Sequence, residues 1–111
     1  AMDDSNAEVR DTATRLLGKL VEHLKPQRIT PKTRSNMFRA LTKNLSDSHS
    51  TVRAKAVRSI GKMAKFGFIG TKEKALAKKA LGRISGQDEA FAWDYAYIVR
   101  AEAEEALKYM D

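Results

Sequence analysis

The chain has 111 residues, enough for one small domain with a modest core and too few for two ordinary domains. It contains 42% hydrophobic and 32% charged residues, two prolines and no cysteine. This composition is typical of a soluble, helix-rich domain, and without cysteine it excludes disulfides, zinc–thiolate sites and thiol nucleophiles. No apolar run approaches the roughly 20 residues of a membrane span, so we predict an intracellular, cytoplasmic protein.

The basic residues behind the formal charge of +7 are concentrated in the middle of the chain. Residues 1–18 and 84–111 are each net acidic, whereas residues 19–83 carry the basic excess. Such a field favours an acidic protein, a nucleic acid or an anionic surface as the partner. Ordinary solvated helix faces have the same charge pattern, and the sequence leaves both interpretations open.

A sequence motif occurs three times along the chain. Its copies begin at Asp4, Asp47 and Asp94, and in each copy Asp is followed by a Val-Arg pair, then by alanine and further apolar residues. These pairs are Val9-Arg10, Val52-Arg53 and Val99-Arg100. The spacing between successive copies lies within the period of roughly 40–47 residues that is typical of two-helix solenoid repeats. The motif therefore predicts a repetitive, helical chain.

These motif residues resemble the HEAT repeat, including the HEAT-like variety found in phycobilin lyase subunits. The resemblance extends over almost the whole chain and implies an all-α solenoid of helix pairs, forming a single domain over residues 1–111. It also implies a non-enzymatic scaffold without a cofactor, in which the second helix of each pair lines the concave surface. One position departs from the repeat, because Lys108 stands where the other copies have Gly18 and Gly61.

Apolar periodicity and capping residues predict five helices. We expect them near residues 6–24, 31–45, 50–66, 71–85 and 95–110. Thr30 and Thr71 are the predicted N-caps of two of them, and Gly67 is a predicted left-handed residue behind the third. The first helix corresponds to the second half of a repeat. The solenoid thus begins on a half repeat, which a preceding segment or a partner would cover.

The motif arginines fall on the apolar side of their helices, at about 100° of rotation per residue. A guanidinium in such a place needs an anionic partner, because an unpaired buried charge is costly. The motif aspartates are the obvious partners, within a repeat or between repeats. We therefore predict structural pairs among Asp4, Arg10, Asp47, Arg53, Asp94 and Arg100.

A second set of cations, the basic stripe, lies opposite the apolar side of the third helix. It consists of Lys55, Arg58, Lys62 and Lys65, and is extended by Arg15 and Lys19 of the first helix. We predict that it binds an acidic protein or peptide. The alternatives are a nucleic acid bound through its phosphates, an accessory role resembling that of bilin lyases, and an ordinary solvated face, since Lys32, Arg39 and Lys43 make another helix equally basic.

Aromatic residues are concentrated before the last helix, at Phe91, Trp93, Tyr95 and Tyr97. Trp93, Tyr95 and Tyr97 are candidate partner contacts, but the preferred interpretation is that the cluster seals the end of the core. The two histidines have no nucleophile or carboxylate at an interpretable spacing. We therefore predict neither a catalytic site nor a metal site.

The first helix has an apolar face that its neighbours are expected to cover only in part. It consists of Val9, Ala13, Leu16, Leu17, Leu20 and Leu24, and Val21 extends it. An exposed apolar strip favours association. We therefore predict weak self-association or packing against a further N-terminal repeat.

Overall fold

The computed structural model describes residues 6–86 and 94–110. Its five α-helices are α1 (Ala7–His23), α2 (Pro31–Asn44), α3 (Ser50–Lys65), α4 (Thr71–Ser85) and α5 (Tyr97–Leu107). A short 3-10 helix, Pro26–Arg28, lies between α1 and α2. No strand occurs in these two ranges, and the prediction of five helices in an all-α chain is confirmed. No helix within the ranges has the length and apolar character needed to cross a membrane.

Polar residues start two of the helices as local sequence dictates. The side chain of Asn6 accepts hydrogen bonds from the first turn of α1, and that of Thr30 accepts one from the first turn of α2. Both satisfy backbone N–H groups that lack a partner inside the helix. The predicted cap of α4 is wrong, since Gly70 is its N-cap and Thr71 is already its first helical residue.

Two glycines with positive φ follow α3 and α4. Gly67 has φ 78°, and the next residue, Phe68, is buried and donates its N–H to the carbonyl of Met63 at 2.8 Å. This hydrogen bond and the burial of Phe68 in the core, behind a left-handed glycine, end α3 as the sequence predicts. Gly86, with φ 83°, ends α4 in the same left-handed region, where a side chain would cause strain.

The helices form two layers, and the molecule is 19 Å across its thinnest dimension, close to two helix diameters. One layer is a row in which α1 and α5 pack against opposite sides of α3. In the other layer, α2 packs against α3 and α4 packs mainly against α5. The row thus contains the second helix of every repeat.

Small residues allow the helices of the row to approach closely. A Cβ placed on Gly18 would lie 2.7 Å from Oγ of Ser59, and one placed on Gly61 would lie 2.8 Å from Cβ of Ala106. The largest fully buried side chains include Leu41, Ile60, Met63 and Leu81, which form the core between the layers. Because α3 is surrounded on three sides, only its outer side carries exposed cations.

Candidate interaction surface

Two of the three motif arginines, Arg10 and Arg53, form ion pairs with the motif aspartate of the following repeat. Arg10 donates to the carboxylate of Asp47 from Nε and from Nη2, the latter at 3.2 Å. Arg53 donates to Asp94 in the same way, at 2.7 Å from Nε and 3.0 Å from Nη2. Two parallel N–H···O bonds give each pair a fixed geometry, so these contacts set the relative position of successive repeats.

The motif residues also contact the turns that precede α3 and α5. Nη1 of Arg53 donates to the backbone carbonyl of Asp47 at 2.9 Å, and Nη1 of Arg100 donates to that of Asp94 at 2.8 Å. The carboxylates in turn accept the backbone N–H two residues later, from His49 and from Ala96. The motif aspartate is thus a turn residue and an ion-pair partner at once.

These contacts lower the pKa of both carboxyl groups. The hydrogen bond from Arg10 is the main reason why the pKa of Asp47 lies below its usual value. For Asp94, burial is the largest influence and raises the pKa, but the hydrogen bonds from Arg53 and from the N–H of Ala96, together with the charges of Arg53 and Arg100, outweigh it and leave the pKa lowered. Both aspartates are therefore held in the charged form. The remaining predicted member, Asp4, lies outside the described residues.

Two adjoining grooves run along the outer side of the helix row. The first groove, between α1 and α3, has Gly18 and Ser59 in its lining, and the second groove, between α3 and α5, has Gly61 and Ala106. The helices meet closely at these small residues, so the long side chains on either side form the walls. The walls of the first groove include Arg15, Lys19, Glu22, Lys55, Arg58 and Lys62, and those of the second include Arg58, Lys62, Lys65, Glu102, Glu105 and Tyr109. All six residues of the basic stripe thus line one or both grooves.

Two cations of the basic stripe are already paired with α1. Nζ of Lys55 donates to the carboxylate of Asp11, and Nζ of Lys62 lies 3.2 Å from an oxygen of Glu22. The hydrogen bond from Lys62 lowers the pKa of Glu22. These pairs reduce the charge that Lys55 and Lys62 offer to a ligand, an effect that the helical spacing of the stripe does not predict.

The other four cations have no carboxylate within salt-bridge distance in the described part of the chain. Arg15, Lys19 and Arg58 are exposed to solvent. The ammonium of Lys65 lies 5.4 Å from the ring centroids of Phe66 and Tyr109, a distance at which the ring faces attract a cation. We call Arg15, Lys19, Arg58 and Lys65 the unpaired cations; together they span both grooves.

Tyr95 and Tyr97 do not seal the core, so the preferred interpretation of the aromatic cluster is wrong for these two residues. Their exposed fractions are 80% and 76%. The guanidinium of Arg53 lies 5.1 Å from the ring centroid of Tyr95, and that of Arg100 lies 5.9 Å from that of Tyr97. The rings therefore lie over the motif arginines. Trp93 and Phe91 lie outside the described residues.

Helical spacing in the sequence places Glu22 and Tyr109 beside the basic stripe, but sequence reasoning did not assign Asp11, the partner of Lys55, to the site. Asp11 and Glu22 share one side of α1 at a spacing of three helical turns, which is the only signal in the sequence that they face the same neighbour. Tyr109 follows α5 and extends the wall of the second groove. Their roles depend on how α1 and α5 lie beside α3.

Comparison with known proteins identifies the repeat type. Residues 1–24 and 37–67, about half of the chain, match the family model of the HEAT repeat. No curated protein and no solved structure matches the chain. HEAT repeats generally form protein-interaction scaffolds and are typically not enzymes. The recurring motif, the two-layered helix arrangement and this match together identify the chain as a HEAT-repeat protein.

Proposed function

We propose that this HEAT-repeat protein is a non-enzymatic scaffold that binds an acidic protein segment along its two grooves. The unpaired cations are the observation that carries this proposal. Arg15, Lys19, Arg58 and Lys65 lie on the side of the helix row that no other helix of the described chain covers. Cations that no internal carboxylate neutralises raise the association rate and the affinity for a ligand of opposite sign.

The carboxylates of the second groove favour a peptide over a nucleic acid. Glu102 and Glu105 lie in the same groove as Lys65. They would repel a continuous row of phosphates, which carry one charge at every nucleotide. A peptide whose acidic side chains are spaced along the chain avoids this repulsion. The accessory role resembling that of bilin lyases stays a prediction from the repeat type alone.

The proposal is tested by charge reversal on the two surfaces of the molecule. One variant carries Arg15→Glu, Arg58→Glu and Lys65→Glu. The matched control carries Lys32→Glu, Lys72→Glu and Lys79→Glu, which change the same charge on exposed positions of α2 and α4. Fluorescence anisotropy with a short glutamate-rich peptide measures binding.

We expect the groove variant to lose about tenfold or more in affinity and the control to lose much less. Equal losses in both variants would mean diffuse attraction by net charge and would overturn the proposal. The same measurement with duplex DNA separates the alternative. If the DNA binds more tightly than the peptide and its affinity falls with salt by a log–log slope of about −0.9 per phosphate, the protein binds nucleic acid instead.

A further inference from the structure

One side of α1 exposes a stripe of apolar side chains. Val9, Leu16, Leu20 and Leu24 are 42%, 53%, 48% and 40% exposed. With the half-buried Ala13 between them, they form what we call the α1 stripe, which runs along the helix for about 22 Å at 1.5 Å per residue. An apolar surface of this length and helical spacing fits the apolar side of another helix.

The same positions are covered in the other two repeats. Val9 corresponds to Val52 and Val99, and both of these are fully buried; Leu20 corresponds to Met63 and Met110, which are buried as well. In α3 this side faces the preceding helix of the row, as the contact between Gly18 and Ser59 shows. The α1 stripe therefore continues a helix-on-helix interface that the fold uses twice.

Two large residues disfavour a second copy or a regular repeat as the occupant. The row packs through Gly18 against Ser59 and Gly61 against Ala106, but Leu16 has the position of Ser59 and Ala106. A leucine is too large for this contact, because the small side chain of Ala106 already leaves no room for a Cβ on Gly61. In a second copy stacked in register, Lys108 replaces the glycine and would meet Leu16. A helix that does not belong to the repeat array need not place a residue opposite Leu16 at the position where the repeats have glycine.

The charges beside the stripe indicate what kind of helix fits. On the wheel of α1, Glu8 lies beside the stripe at the start of the helix. Lys19 and Arg15 follow further along, about 60° and about 100° from Leu16, on the side that lines the first groove. Both belong to the unpaired cations. A helix lying over the stripe would bring one of its flanks above these cations, where carboxylates are favoured and ammonium groups are repelled.

We propose that the α1 stripe binds an amphipathic helix of a separate protein. The apolar side of that helix packs on Leu16 and Leu20, and its acidic flank faces Arg15 and Lys19. This inference rests on the proposed function, because it identifies the acidic partner segment as helical and gives it an apolar anchor. The bound partner helix thus lies beside the first groove, on the side that α1 forms.

The test uses a synthetic amphipathic peptide with leucines on one helical side and glutamates on one flank. Its binding to the full chain is measured by fluorescence anisotropy. The variant Leu16→Gln/Leu20→Gln removes apolar contact from the stripe. The variant Leu76→Gln/Ile98→Gln is the matched control, since these residues are 59% and 53% exposed on α4 and α5.

We expect the stripe variant to bind the peptide about tenfold more weakly, and the control to bind like the unchanged protein. A peptide with lysines in place of the glutamates should also bind about tenfold more weakly. Circular dichroism checks whether both variants keep their helices. Equal binding by the two variants, or by the two peptides, overturns the inference.

Two further measurements separate this inference from the proposed function. A glutamate-rich peptide without apolar residues should bind the stripe variant as well as the unchanged protein, because the groove cations remain. If this peptide binds and the amphipathic one shows no preference for the stripe, the inference fails and the proposed function stands. If sedimentation shows a dimer that Leu16→Gln abolishes, the stripe belongs to a second copy and the inference is overturned.

Discussion

Arg53 donates a hydrogen bond from Nε to the carboxylate of Asp94 at 2.7 Å, across 41 residues of sequence. Its Nη1 group donates at the same time to the backbone carbonyl of Asp47. One guanidinium thus joins the turn before α3 to the turn before α5. Since the side chains of Arg53 and Asp94 are only 8% and 9% exposed, solvent weakens this pair much less than it weakens a surface ion pair.

Removing this guanidinium should destabilise the fold. We expect Arg53→Ala to lower the free energy of unfolding by about 1–3 kcal/mol, because Asp94 loses its main charge partner in a shielded place. Asp94→Ala should have a similar effect. Urea denaturation followed by circular dichroism measures both. The double variant should lose less than the sum, since both single changes break the same contact.

Arg39→Ala is the control for this cycle, because Arg39 is exposed on α2. Its effect should stay within about 0.5 kcal/mol. If the losses of Arg53→Ala and Asp94→Ala add fully in the double variant, the two residues do not act as a pair.

Asp47 should make stability depend on pH in the acid range. Its pKa in the folded protein lies below the ordinary value of 3.8, chiefly because of the hydrogen bond from Arg10. Just below pH 3.8 the unfolded chain therefore binds more protons at this site than the folded chain does. The stabilisation is complete above that pH and is lost as the pH falls through the lower, folded pKa.

The variant Asp47→Asn should be less stable at neutral pH and should lose less stability on acidification, which denaturation curves at several pH values measure. Glu104→Gln, at an exposed position of α5, serves as the control and should leave the slope unchanged. An unchanged slope in Asp47→Asn would show that other carboxyl groups cause the acid sensitivity.

The helices could be predicted because their signals are local. The apolar period of about 3.6 residues, Thr30 and Gly67 mark ends and faces without reference to the rest of the chain. The choice of partner for Arg53 is different. Asp47 and Asp94 are both plausible in sequence, and only the packing of α3 against α5 brings the carboxylate of the later one into reach.

The candidate site was predictable only in its composition. Helical spacing places Arg58 and Lys65 on one side of α3, but it does not reveal that Lys55 meets Asp11 on another helix. That contact depends on the close approach of α1 and α3 at Gly18. Similarly, the exposure of Tyr95 follows from the turn that Asp94 forms, which aromatic content alone does not predict.

The close approach of α3 and α5 should make Gly61 intolerant of a side chain. A Cβ at this position would lie 2.8 Å from Cβ and 3.1 Å from Cα of Ala106, so the helices would have to separate. We expect Gly61→Ala to lower the free energy of unfolding by about 1–3 kcal/mol. Thermal and urea denaturation provide the measurement.

Gly82, inside α4, is the matched control, because a Cβ placed there meets nothing within 4 Å. Gly82→Ala should raise the free energy of unfolding by about 0.5–1 kcal/mol through better helix propensity. If both substitutions stabilise the protein, α3 and α5 are not in the close contact described.

Lys55 and Arg58 should separate stability from binding, although they are close neighbours on α3. Lys55→Gln removes the partner of Asp11, one oxygen of which is buried without a hydrogen bond, and should cost about 1 kcal/mol of stability. Arg58→Gln breaks no ion pair in the described structure and should change stability by less than about 0.5 kcal/mol.

Binding of the glutamate-rich peptide should respond in the reverse order, because the charge of Arg58 is available and that of Lys55 is already neutralised. Anisotropy and urea denaturation on the same two variants measure both properties. A greater loss of binding in Lys55→Gln than in Arg58→Gln would show that the ligand displaces Asp11, and the unpaired cations would then not define the site.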